Sequence, residues 1–133
     1  MHRAESVACR PCIESCLLLA RVSLPPELRA VPHVRAFLTE ACTHAGAVNR
    51  LAALAGDIAA RELADADAER ARADRYCALL AECDTRLGTV ETSATALLAW
   101  SPEPTLRAFV YAVIDAVNGH TEWFDAGRGA TAD

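Results

Sequence analysis

Apolar positions along the chain keep a helical period almost from end to end. Cys9, Cys12, Ile13 and Cys16 recur at i, i+3, i+4 and i+7, with Ala20 one turn further on, and predict a first helix over about 4–22. Pro11 lies inside this stretch, so the helix either starts near Arg10 with an early-turn proline or is kinked there. Ser23-Leu24-Pro25-Pro26 reads as a turn, and Pro32 disfavours helix in the residue before it. Val34, Phe37, Leu38, Ala41, Ala45, Val48, Ala52 and Ala55 form an apolar stripe that predicts a second helix over about 33–55. Gly56-Asp57 then supplies a stop and a new N-cap.

A third helix begins near Ile58 with a densely charged stretch. Asp57 precedes Arg61 by four residues, and Asp67 with Arg70 and Glu69 with Arg72 stand three apart, the spacing of ion pairs on a solvated helix face. The later half turns amphipathic through Tyr76, Leu79, Leu80, Cys83 and Leu87, and the stripe continues through Val90, Ala94, Leu97 and Leu98. Gly88-Thr89 either breaks this stretch into a long helix and a short one or merely weakens one very long helix; the break is favoured, because one helix from Ile58 to Trp100 would be roughly 64 Å long at 1.5 Å per residue. That break leaves a short fifth helix at about 89–100. Ser101 as N-cap with Pro102 at the first position opens a last helix carrying Leu106, Phe109, Val110, Val113, Val117, His120 and Phe124 on one face. Residues 127–133 read as a frayed tail. Alternating strand patterns with hairpin signals do not occur. The expectation is an all-α fold: a single domain over 1–126, built as an antiparallel bundle of four main helices with a short fifth across one end.

Composition strengthens the helical reading. Alanine fills 29 of the 133 positions and aromatics make up only 5%. All 13 basic residues are arginine, against 18 acids, for a net charge of −5. A net acidic chain with scattered arginines lacks a phosphate-binding footprint, which argues against a nucleic-acid partner. The longest apolar run, Ala108 to Ile114, is far short of the roughly 20 residues of a spanning helix, so no membrane partner is expected. The start, Met1-His2-Arg3-Ala4-Glu5, is unlike a secretory leader and points to an intracellular, cytoplasmic protein whose thiols stay reduced.

Six cysteines are the unusual chemical feature: Cys9, Cys12, Cys16, Cys42, Cys77 and Cys83. With helices running up and down, Ser23, Pro32 and Gly88 fall at one end of the bundle. Counted from there, Cys12, Cys42 and Cys77 lie 11, 10 and 11 residues in, and Cys16 and Cys83 lie 7 and 5 in. Thiols from different helices would then meet at two heights, a setting suited to Cu(I) or to four-coordinate Zn²⁺. Cys9-x2-Cys12-x3-Cys16 puts three sulfurs within about 60° of one helix face. Over that one segment the chain resembles the cysteine ladders of the four-helix copper-storage proteins, which carry far more cysteines; no function is carried over from them. Against this stands the ordinary role of cysteine as a small buried hydrophobe. Cys9-Arg10-Pro11-Cys12 has redox-dithiol spacing but lacks the βαβ setting of such motifs.

The histidines add little to a metal site. His44 is turned about 200° from Cys42, and His120 reads as a partly buried histidine near a helix end. With no phosphate loop, nucleophile elbow or HExxH, the sequence does not read as an enzyme. Its expected work is protein–protein interaction, with another protein or a second copy, using Trp100, Trp123 and Phe124 as aromatic anchors. The competing expectation is a Cu(I)- or Zn-binding or storage protein using the six cysteines. No cofactor is otherwise expected.

Overall fold

The computed structural model describes residues 2–60 and 66–132, with side chains described for residues 10, 12–58 and 66–125. Five helices follow one another: α1 (His2–Leu19), α2 (Pro26–Arg29), α3 (Pro32–Ala60), α4 (Ala66–Trp100) and α5 (Pro104–Ala132). Strands are absent among the described residues. The end of α1, the start of α3, the end of α4 and the start of α5 share one apolar cluster that includes Leu17, Phe37, Leu97 and Leu106. The four long helices therefore alternate in direction, and the all-α bundle expected from the periodicity is what forms.

α3 is the helix the others pack on. It touches α1, α4 and α5 directly, while α1 and α4 occupy opposite corners. Its sequence allows this, because Ala41, Ala45 and Ala47 are buried small residues that let neighbouring backbones come close. Phe37 of α3 and Phe109 of α5 meet edge to face, with ring centroids 6.3 Å apart, and anchor the upper cluster. A second, smaller cluster of Ala47, Val48, Leu51, Cys83 and Phe124 fills the other half.

Two helix ends lie beyond those read from the sequence, and one of the two alternatives at Pro11 is excluded. α1 continues through Pro11, so the proline does not mark its start. α3 passes Gly56-Asp57 and runs to Ala60. The expected break at Gly88 is absent: α4 is one helix of 35 residues, about 52 Å long. Tyr76, Leu80, Cys83, Leu87, Val90, Ala94 and Leu97 follow one another at alternating steps of four and three, all buried or half-buried. This seam crosses Gly88 without interruption, and its burial outweighs the roughly 1 kcal/mol helix penalty of one glycine. The short fifth helix is accordingly not at 89–100; the short helix in the fold is α2.

α5 itself continues to Ala132. Capping of α5 is also displaced. Pro104 takes the first position, and the Glu103 carboxylate accepts the Leu106 N–H at 2.8 Å. Ser101 instead accepts from the Glu103 N–H at 3.3 Å.

α1 ends on a tight reversal. Val22 N–H donates to Leu17 O, and Arg21 N–H donates to Leu18 O, while Arg21 has φ 57°. These are the two bonds of a Schellman motif, and Arg21 holds the left-handed position that usually belongs to glycine. Val22, packed on the core, and buried Leu17 supply the apolar contact that accompanies the motif. The turn leads into α2, which a bidentate Arg29–Glu14 pair (2.9 and 3.0 Å) ties back to α1. Replacing Arg21 with glycine relieves the backbone strain and is expected to stabilise the fold by about 0.5–1 kcal/mol. Thermal melts should show a higher Tm for Arg21→Gly, and an unchanged or lower one would contradict the assignment of this reversal.

Candidate functional site

The unbroken α4 changes where the cysteines fall. From the end at which α1 and α4 stop and α3 begins, Cys16 and Cys12 lie about 5 and 10 Å in, Cys42 about 15 Å, Cys83 about 26 Å and Cys77 about 35 Å. The two matching heights expected from the sequence rested on an end at Gly88 and disappear with it. Cys42 is buried in the upper cluster and Cys83 in the lower one. Burial, with the Glu82 carboxylate beside it, pushes the Cys83 thiol above its ordinary pKa. Cys77 is exposed and lines a shallow depression with Ala55, Ile58 and Tyr76. The side chain of Cys9 lies outside the described residues. Among the described residues, no three of His, Cys, Asp and Glu come close enough together to hold one metal ion.

Cys12 and Cys16 do share a place. Both line a cavity of about 380 Å³ between α1, α3 and α5, opposite His120 and Trp123. The first and last helices of an up-and-down bundle are neighbours, which is what brings α1 and α5 together here. Cys12 and Cys16 sit one turn apart on the α1 wall. Ala45 and Asn49 come from α3, and Asp115, Gly119, His120 and Trp123 come from α5. His120 and Trp123 stack with centroids 5.4 Å apart and planes 19° apart. His120 is not at a helix end, because α5 runs twelve residues beyond it. Its Nε2 is buried without a hydrogen-bond partner among the described residues. Sequence reading placed His120 on an apolar face but did not pair it with Cys12 and Cys16. The signal that could have done so was the adjacency of first and last helices.

The aromatic anchors divide. Trp100, the last residue of α4, and Trp123 are both more than half exposed, whereas Phe124 turns inward and fills the lower cluster. Phe124 is thus a core residue and not a surface anchor. Other large apolar side chains at the surface are Leu18 (77% exposed), Leu19 (85%) and Tyr111. Leu18, Leu19 and Trp100 terminate their helices at the same end of the bundle, and Tyr111 stands seven residues into α5 from that end. Arg107 reaches over Tyr111, its guanidinium carbon 6.0 Å from the ring centroid.

Among the described residues, one polar side chain is sealed inside. His44 of α3 is 1% exposed, and its Nδ1 has no hydrogen-bond partner among the described residues. It follows Cys42 of the upper cluster and precedes Ala47 of the lower one, so it marks the seam between two apolar bodies. Lower down, Glu82 of α4 accepts from Arg50 of α3 at 3.0 Å and from Arg86 at 2.9 Å, which fastens α3 to α4 at the surface.

No protein-family model matches the chain, nor does any curated protein or solved structure. The class defined by the fold is a four-helix bundle with one added short helix. No helix among the described residues is long and apolar enough to cross a membrane.

Burial lowers the His44 pKa, and electrostatic interaction with His120 on α5 and Arg86 on α4 lowers it further. The folded state therefore binds this proton less readily than the unfolded chain. Stability is complete above the ordinary histidine pKa of about 6.5 and falls as pH drops below it. The lowered carboxyl pKa values of Glu14 and Glu82 act only further down, as pH falls through the acid range below 4.5. Melting temperature should consequently decline between pH 7.5 and 5.5, and His44→Leu should flatten that decline. Parallel pH dependence in the wild type and the variant would remove His44 as its source.

Proposed function

We propose that this protein is a non-catalytic helical bundle that works by protein–protein interaction, and that the end of the bundle formed by the termini of α1 and α4 is the contacting surface. The observation that supports this reading most is the placement of Leu18, Leu19 and Trp100, all exposed and all terminating helices at that one end. Scattered single apolar residues are ordinary on a surface, but several at one end favour a contact. Tryptophan is also among the residues that most often anchor interfaces.

The partner that suits this surface best is a second copy of the chain. Arg21, Arg29 and Arg107 stand near that end together with Glu14, Glu27 and Glu103, so this end of the bundle carries both signs of charge. A patch carrying both signs can face its own image across a two-fold axis, the commonest symmetry of soluble oligomers. The soft-metal alternative receives less support, because the described cysteines occupy four separate places and only Cys12 and Cys16 share one.

Light scattering over a range of concentrations tests the proposal. The expected result is a concentration-dependent dimer that reverts to monomer in a Leu18→Asp/Leu19→Asp variant and in Trp100→Ser, with helical circular dichroism retained in both. A strict monomer at every concentration, or a dimer indifferent to these substitutions, would overturn it.

A further inference from the structure

Cys12 and Cys16 stand one helical turn apart on α1, and both line the cavity between α1, α3 and α5. Both are free and exposed, within reach of a reagent in solution, whereas Cys42 and Cys83 are buried. Cys77 is exposed too, but it shares its depression with no other cysteine. On a helix, side chains at i and i+4 hold their Cβ atoms about 5–6 Å apart. A disulfide needs about 3.5–4.5 Å, so this pair does not close on itself without distorting α1. A third atom bonded to both sulfurs supplies the missing length. A soft centre with bonds of about 2.3 Å, the length of a zinc–sulfur bond, sets its two sulfurs about 3.4–4.6 Å apart, depending on the angle. The pair is thus spaced as a clamp for one soft atom.

The donors and the cavity together select the guest. Structural zinc takes four ligands, and among the described residues no third His, Cys, Asp or Glu joins the two thiols to hold an ion. The guest must therefore be satisfied by two sulfurs. The cavity, about 380 Å³, is far larger than one bare ion, and Ile13, Ala45, Ala116, Val117 and Trp123 make much of its wall apolar. A guest that uses both parts carries one soft atom for the sulfurs and one apolar group for the cavity. Trivalent arsenic bearing a single organic substituent has that form, and its product with two thiols is uncharged, as an apolar wall favours.

We propose that Cys12 and Cys16 form a binding site for a monosubstituted organic arsenic(III) compound, R–As(OH)2, with R lying in the cavity. Two As–S bonds form and the two As–O bonds break, and each thiol proton leaves with a hydroxide as water. Arsenic stays trivalent and the sulfurs are not oxidised, so the step needs neither oxidant nor reductant. The site is separate from the end-on contact and does not rest on it.

Phenylarsine oxide is the probe, read by intact mass spectrometry of the reduced full chain. Capture by two thiols adds the mass of the oxide less one water, whereas capture by one thiol adds the whole oxide. One equivalent of the first kind is expected. It should be kept in excess glutathione, because the second sulfur of a clamp acts at high effective concentration, and be removed by 2,3-dimercaptopropanol. Cys12→Ser and Cys16→Ser should each abolish this adduct with helical circular dichroism retained, while Cys9→Ser and Cys77→Ser should keep it. Differential alkylation assigns the thiols in the parent chain itself, where Cys12 and Cys16 should be the shielded pair.

Gly119 tests the cavity's part. A Cβ there would meet no atom within 4 Å, and the residue lines the cavity, so Gly119→Leu fills part of it. The phenyl compound should then be held roughly tenfold less tightly against competing thiol, and its methyl analogue equally well. No adduct in the parent, an adduct on one thiol, an adduct that survives Cys12→Ser or Cys16→Ser or is lost in Cys9→Ser, or an equal effect of Gly119→Leu on both compounds would overturn the proposal. Light scattering of the same samples reports self-association separately, so either idea can fail without the other.

Discussion

The uninterrupted packing of α4 along α3 is the constraint on which the remaining arrangement depends. Seven residues from Tyr76 to Leu97 keep alternating steps of four and three, and each is at least half-buried. Such a seam holds one face of a helix toward its partner over several turns. It fixes the length of α4, and with it the height at which every α4 side chain stands. Cys83 then falls in the lower cluster, Cys77 falls near the far end, and Trp100 is carried to the end where α1 stops. The surface pairs Arg50–Glu82 and Ser93–Glu40 join the same two helices, but exposed or half-exposed pairs of this kind each contribute at most about 1 kcal/mol. Apolar burial along the seam carries the larger share.

The fold class was legible in the sequence because amphipathic period and alanine content pointed the same way. Segment boundaries were less so. Gly56 and Gly88 are local signals of low helix propensity, each costing about 1 kcal/mol, and at Gly88 the buried seam on both sides outweighs that cost. The start of α5 departs from its local signal as well. Ser101 followed by Pro102 is the better local signal, because serine is a preferred N-cap and glutamate is not. Glu103-Pro104 was used instead, with the Glu103 side chain as the acceptor.

Much less of the site was legible. Helical angle placed Cys12 and Cys16 on one strip of α1, and they are on one strip. Matching them with cysteines of other helices required absolute heights, and a single wrong helix end shifted Cys77 and Cys83 by twelve residues, about 18 Å. Phe124 shows a related limit. It belongs to the apolar stripe of α5, and such a stripe residue can cap the core or face a partner; packing with Ala47, Val48, Leu51 and Cys83 puts Phe124 inside the core. His44 illustrates the opposite case. Its neighbours in sequence do not announce burial of a polar group, and it is buried because α3 is covered on three sides. The bundle thus keeps three features apart: an apolar end, a polar residue sealed between two core clusters, and a cavity on the α1–α5 side that Cys12 and Cys16 line.

Continuity of α4 is tested most directly by a distance measured along it. Spin labels on Cys77 and on a cysteine introduced at exposed Ala99, with the other cysteines replaced by serine or alanine, would be read by double electron–electron resonance. A single helix puts the two backbone sites about 33 Å apart, with a narrow distribution. A chain that breaks at Gly88 and turns its last segment across the end of the bundle would bring them to about 23 Å or less, and that result would contradict the register on which the placement of the cysteines and of Trp100 rests.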